Sequence, residues 1–157
     1  MSQITGLLQQ PKSHEWETPI ELFRELDAEF GFQLDAAASL DNTLCQHFYT
    51  AEMDALRFDW AWAESVFCNP PYGNQIGRWV EKGYEEAQNG ATVVMLIPAR
   101  TETRYWHDYV MRAAEIRFIR GRLRFSGATV NAPFPSAVVV FRAGDHTPRI
   151  TTMEAPR

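Results

Sequence analysis

Cysteine is nearly absent. The 157 residues hold only Cys45 and Cys68, with no Cys-x-x-Cys pair and no Cys/His cluster. This argues against a disulfide scaffold or a zinc knuckle and reads as two buried thiols in a reducing compartment. No apolar run approaches the roughly 18–20 residues that a membrane span needs. The longest, Thr92–Ile97 and Ala137–Phe141, have strand length. Met1–Lys12 lacks the basic-then-apolar order of a signal peptide. These absences point to the cytoplasm and away from any membrane. His14, His47, His107 and His146 are scattered without metal-ligand spacing, so no metal site is expected. Lysine is missing altogether from residue 100 onward.

The lysine gap marks a division of charge. Residues 1–99 hold 5 Lys/Arg against 15 Asp/Glu, and residues 100–157 hold 10 Arg against 5 Asp/Glu, which together give the net −5. An acidic chain is a poor general partner for nucleic acid, but its arginine-rich part can meet an anion. Hydrophobic residues at 45% and charged residues at 22% are ordinary for a globular chain. The length fits one domain with a single core. Residues 1–16 and 144–157 read as poorly ordered ends, and no separate recognition domain is expected.

Periodicity supplies the elements in between. Thr18-Pro19-Ile20-Glu21 reads as a helix start, with Thr18 capping, Pro19 at the first helical position and Glu21 closing a capping box. Ile20, Phe23, Leu26 and Phe30 follow at helical spacing, and Gly31 ends the helix. Phe32–Asp35 reads as a strand, Ala36–Ser39 as a tight turn, and Cys45–Tyr49 and Ser65–Cys68 as further strands. A helix is predicted from about Gln75 to Asn89. Thr92–Ile97 has the β-branched, wholly apolar character of a strand buried on both faces of a parallel sheet. A helix from Thr101 to about Ala114, strands at Ile116–Ile119 and Ser136–Arg142, and a short one at Leu123–Phe125 complete the chain. Trp60 and Trp62 read as covering the core. Alternating strands and helices specify an α/β domain, and the closely spaced last strands predict an antiparallel edge.

The chemistry concentrates in Asn69-Pro70-Pro71-Tyr72, directly after an apolar strand. Ligands of open α/β sheets bind beyond the carboxyl ends of the strands. Two prolines stiffen the loop and remove two backbone donors, so a side-chain amide, a free carbonyl and an aromatic ring are held together there. That set suits the N6 amine of adenine, whose lone pair is delocalised into the ring. The Asn69 oxygen and the Pro70 carbonyl can each accept one N6 hydrogen and keep electron density on nitrogen. Tyr72 can stack on the base.

With these residues the sequence resembles the amino-methyltransferases, which carry a (D/N/S)PP(Y/F/W) motif, and more closely the compact phage-type DNA N6-adenine methyltransferases of the Dam-like family. The resemblance runs from Trp16 to Phe141. It includes Trp16-x-Thr18-Pro19, Leu34–Ala38, Asp54-Ala55-Leu56, Cys68–Tyr72, Met95–Ala99 and Gly121–Phe125. It implies S-adenosylmethionine as methyl donor and a Rossmann-like, mostly parallel sheet with a reversed last strand. It also implies a catalytic loop of Asn69, Pro70, Pro71 and Tyr72. The cofactor site it implies comprises Trp16, Thr18, Pro19, Asp35, Ala36, Ala37, Asp54 and Asn69. Ala36–Ser39 stands where such enzymes usually have a glycine-rich loop.

A target adenine must leave the duplex stack to be methylated, and backbone phosphates must help hold the opened DNA. Arg100, Arg104, Arg120, Arg122 and Arg124 are the residues expected to meet DNA, within a strip that also holds Arg112 and Arg117. Some of the strip would pair instead with Glu102, Asp108 or Glu115. Two other readings stay open: an enzyme that methylates a glutamine amide in protein, and an inactive relic that only binds nucleic acid.

Overall fold

The computed structural model describes residues 16–38, 42–50 and 53–157. Of the lead-in expected over residues 1–16, all but Trp16 lies outside the described residues, as does Ser39. Helix α1, Ile20–Phe30, forms because Leu22, Phe23 and Leu26 share one buried face. Gly31 ends it in left-handed backbone, φ 60°, with its N–H bonded to the Asp27 carbonyl. The start departs from the sequence expectation. Pro19 sits at the N-cap and no side chain caps the helix. The Thr18 hydroxyl is engaged by Asn69 instead, so the capping box with Glu21 does not form.

The strands are β1 (Leu34–Ala38), β2 (His47–Thr50), β3 (Ser65–Cys68), β4 (Thr92–Pro98), β5 (Glu115–Arg120), β6 (Ser136–Phe141) and β7 (Arg149–Glu154). They form one seven-stranded sheet in the order β2-β1-β3-β4-β6-β5-β7. Only β6 runs against the rest, pairing antiparallel with β4 and β5. The Rossmann-like, mostly parallel sheet is therefore as expected, but the reversed strand lies inside it rather than at an edge. The edge next to β5 is β7, built from the tail that reads as frayed. Arg149–Glu154 pairs in parallel with Glu115–Arg120 along its whole length. Ala36–Ala38, read as a turn, continues β1, because Ala38 pairs with Thr50 of β2.

Helix α2, Ile76–Gln88, packs its Gly83 against Met95 and Val93 of β4. Phe23 of α1 meets Phe67 of β3 edge-on. In register, Phe67 lies beside Val94 and Cys68 beside Met95, so the two helices cover opposite faces. β4 and β6 between them are buried almost throughout. The helix expected over Thr101–Ala114 is shorter. Thr103 caps α3, Arg104–Asp108, by accepting from the Trp106 N–H, and a single 3₁₀ turn follows at Val110–Arg112. Leu123–Phe125 joins no ladder, although Ser126 bridges to Glu17. Trp60 is buried as expected, whereas Trp62 is exposed and donates its indole N–H to the Tyr49 hydroxyl.

Two buried carboxylates are explained by their partners. Glu86 of α2 accepts the N–H groups of Trp60 and Ala61 at 3.0 Å and pairs with Lys82 at 2.8 Å, which ties the segment before β3 to α2. Burial pushes the Glu115 carboxyl up, but hydrogen bonds from Arg149 and Arg117 outweigh it and hold the group below the usual carboxylate range. Arg149 thereby fastens the tail strand to β5.

Candidate active site

The carboxyl ends of β1, β3 and β4 meet at one rim of the sheet. Asn69 leaves β3 there, followed by the two prolines. Tyr72 is only 5% exposed, and its hydroxyl donates to the Leu96 carbonyl of β4 at 3.1 Å. Burial raises that hydroxyl well above its ordinary range, so it remains a protonated donor. Phe125 and Phe134 meet the Tyr72 ring edge-on. The tyrosine thus pins the loop to the neighbouring strand. Tyr72 also lines a cavity beside α2 and α3.

Asn69 is held by a segment far away in sequence. Its Nδ2 donates to the Trp16 carbonyl at 2.6 Å and to the Thr18 hydroxyl at 3.1 Å. Its Oδ1 is buried and has no hydrogen-bond partner. A buried unpaired acceptor costs about 1–3 kcal/mol, so it calls for an explanation. No donor among the described residues takes the Pro70 carbonyl either. Two acceptors on consecutive residues after β3 therefore have spare capacity.

A cavity of about 660 Å³ adjoins them, lined by Trp16–Thr18, Asp35, Ala37, Phe67, Asn69–Pro71 and Trp79, among others. Asp35 is 3% exposed, and its carboxylate accepts the Ala37 and Leu44 N–H groups at 3.3 and 3.4 Å. Burial, opposed by those two bonds, pushes its carboxyl up to about 6. A second cavity, of about 1020 Å³, opens beside α2 and α3. Its walls include Tyr72, Arg78, Arg100, Arg104, Tyr105 and Phe134. Trp16 lines both cavities. Its ring packs on Phe125 and Phe134 with centroids 5.3 and 5.4 Å away.

Most of the residues named from sequence gather at this rim, but not all. Trp16, Thr18, Asp35, Ala37 and Asn69 line the first cavity, whereas Pro19 and Ala36 are buried and do not. Asp54 stands apart. It adopts left-handed backbone, φ 52°, and pairs with Arg57 at 3.0 Å on the surface. Asn42, Leu44, Thr50, Trp79 and Ser126 line the first cavity, although sequence reasoning does not single them out. Only Trp79 carries a usable signal, as an aromatic directly beside the buried Val80 of α2. Among the arginines, Arg100 and Arg104 line the second cavity, and Arg120 pairs with Glu154 at 3.7 Å. Arg122 and Arg124 alternate with buried Leu123 and Phe125 and are exposed. Arg117 is taken up by Glu29 and Glu115. Among the described residues, no three His, Cys, Asp or Glu side chains come together as a metal site would require, and no helix is long and apolar enough to cross a membrane.

The profile of a family described as DNA N-6-adenine-methyltransferase (Dam) matches residues 6–150. The chain belongs to this family. A DNA N-6-adenine-methyltransferase of Escherichia phage T1 is 35% identical over 109 residues, which cover 69% of this chain and 45% of the phage protein. Another of that name, from Haemophilus phage HP1 (strain HP1c1), is 32% identical over 108 residues, covering 66% of this chain and 61% of the relative. The chain thus spans about half the length of the phage relatives it matches. Within the Dam family match lie the Trp16–Thr18 segment, Asp35 and the Asn69–Tyr72 loop, the parts that form the rim.

Proposed function

We propose that this chain transfers a methyl group from S-adenosylmethionine to the exocyclic N6 of adenine in DNA. The observation that carries the reading is the Asn69 Oδ1, a buried acceptor without a donor, beside a free Pro70 carbonyl at a strand end. An adenine amine supplies the two donors that this pair lacks.

The first cavity fits the cofactor. About 660 Å³ falls within the roughly 300–1,000 Å³ of small-molecule sites. Asp35 offers a carboxylate to an ammonium group, and Trp16, Phe67 and Trp79 offer ring faces to a purine or a sulfonium. Bound there, S-adenosylmethionine would supply an electrophilic methyl group. The chain's own residues do the rest. As the amine nitrogen gains a bond it becomes positive and its hydrogens more acidic. Asn69 Oδ1 and the Pro70 carbonyl then accept more strongly than in the ground state, and that difference is what lowers the barrier. Neither oxygen is basic enough to keep the surplus proton, which passes to solvent. Trp16, packed on Phe125 and Phe134, closes the space between the two cavities against water. The second cavity receives the extruded nucleotide, with Arg100 and Arg104 on its wall for the flanking phosphates.

The test is tritiated-methyl transfer to unmethylated DNA, followed by nucleoside analysis. Labelled N6-methyladenine is expected. Asn69→Ala should reduce the rate by about 10²–10³ while calorimetric cofactor affinity is retained. Label in protein glutamine, or turnover by Asn69→Ala within a few-fold of the unmodified protein, would overturn the proposal.

A further inference from the structure

The Asn69 amide could sit in either of two orientations, and one contact decides between them. The Trp16 carbonyl can only accept, and it lies 2.6 Å from Nδ2. Reversing the amide would place two oxygens against each other and bury an unpaired NH₂ group. The Thr18 hydroxyl, 3.1 Å from the same nitrogen, adds a second partner. We infer that the Trp16 carbonyl and the Thr18 hydroxyl act as a latch that keeps Asn69 Oδ1 facing the reacting amine, and that this latch makes position 69 of this chain one for an amide and not a carboxylate. The inference rests on the methyl-transfer reading above and goes beyond it in naming Thr18 as a positioning residue rather than a cofactor contact.

The latch is braced from behind. Ser126 donates its N–H to the Glu17 carbonyl at 3.0 Å and its hydroxyl to the Thr18 carbonyl at 3.1 Å. The Trp16 ring is fixed between Phe125 and Phe134. The carbonyl that selects the amide orientation therefore cannot easily turn away. A carboxylate at position 69 would point an anionic oxygen at it. Only the protonated acid could donate to Trp16 and still leave one oxygen free, as the amide does. The acidic groups near that position are Asp35 on β1 and Glu17 on the latch segment, and both line the same cavity. Their negative charge would favour the protonated form further.

Three variants test this in the full chain. Thr18→Val keeps the shape and removes the hydroxyl. We expect kcat to fall about tenfold, the effect of losing one modest hydrogen bond, with the KM for S-adenosylmethionine unchanged, and Thr18→Ser to restore most of the loss. Asn69→Asp should lose at least about 10² in kcat near pH 8, and its rate relative to the unmodified protein should rise as pH falls. An Asn69→Asp variant as active as the unmodified protein near pH 8, or Thr18→Val retaining kcat, would overturn the latch. Solvent exchange of the Asn69 side-chain amide protons, assigned by their loss in Asn69→Ala, needs no activity. Slow exchange that becomes fast in Thr18→Val supports the latch, and equally fast exchange in both overturns it. If the unmodified protein methylates no DNA, the functional reading falls while this measurement still decides the latch.

Discussion

Asp35→Asn should make the free protein more stable and its cofactor binding weaker. Asp35 is 3% exposed, and burial raises its carboxyl from 3.8 to about 6. The folded chain therefore holds this proton more tightly than the unfolded chain does. Stability from this group is greatest below the unfolded value and falls as pH rises toward the folded one. At roughly 1.4 kcal/mol per pH unit, the ionised carboxylate costs the fold about 3 kcal/mol near pH 8 and about half that near pH 5. Asparagine removes the charge but can serve only one of the Ala37 and Leu44 N–H groups, which offsets about 1 kcal/mol. The expected net gain near pH 8 is about 2 kcal/mol, or roughly 4–8 °C in melting temperature for a chain of this size. Urea and thermal melts of both proteins near pH 5 and pH 8 measure it, and the advantage of the variant should widen with pH. Calorimetry should show S-adenosylmethionine binding weakened at least about tenfold, because in the proposed function the charge that burdens the fold is the one offered to the ligand's ammonium. A variant less stable than the unmodified protein near pH 8, or an advantage that does not change with pH, would refute the reasoning.

Further outcomes follow from other parts of the structure. Gly83→Ala should lose about 1–3 kcal/mol in urea melts, because its new Cβ would lie 2.7 Å from the Met95 sulfur and 3.3 Å from Val93. Glu115→Ala should cost on the order of 2 kcal/mol, less than a fully buried network would because Arg149 is largely exposed. The same change should raise hydrogen exchange along β7 before the rest of the sheet. Charge reversal of Arg122 and Arg124 together should weaken DNA binding and flatten its logarithmic salt dependence by about 2, at nearly one for each phosphate no longer neutralised. An unchanged salt slope with a lowered melting temperature would mean that these arginines serve the fold instead.

What the sequence discloses depends on whether a local pattern or a distant partner decides the structure. β3 and the loop after it are legible because Ser65–Cys68 is apolar and two prolines end it. β4 is legible because its residues are buried on both faces. Thr18 misleads because the same hydroxyl that would cap α1 serves Asn69, 51 positions away. Ala36–Ala38 carries none of the branched side chains that signal a strand, and only its pairing with β2 makes it one. β7 is mostly exposed along its length, so no buried face marks it. It exists because the edge of β5 accepts it and Arg149 reaches Glu115. Asp54 is suggested by its position within a motif, yet its left-handed backbone turns it toward Arg57. No spacing in the chain reports that turn.

The acidic balance of the chain and the proposed DNA substrate are reconciled by which arginines are already occupied. Arg117, Arg142 and Arg149 all converge on Glu115, and Arg120 pairs with Glu154. Much of the positive surplus of residues 100–157 is thus taken up inside the sheet, at β5 and its neighbours, where it fastens the tail. Arg100, Arg104, Arg122 and Arg124 make no ion pair among the described residues. Two of these line the second cavity, and the other two flank the buried Leu123, with Arg124 directly before Phe125, which packs on Trp16. Arg78, which makes no ion pair among the described residues either, lines the second cavity with Arg100 and Arg104, so three unpaired arginines stand on that wall. On the proposed function, an acidic protein so arranged would meet a phosphate backbone best along the wall of the second cavity, where unpaired arginines favour productive orientation over loose binding elsewhere.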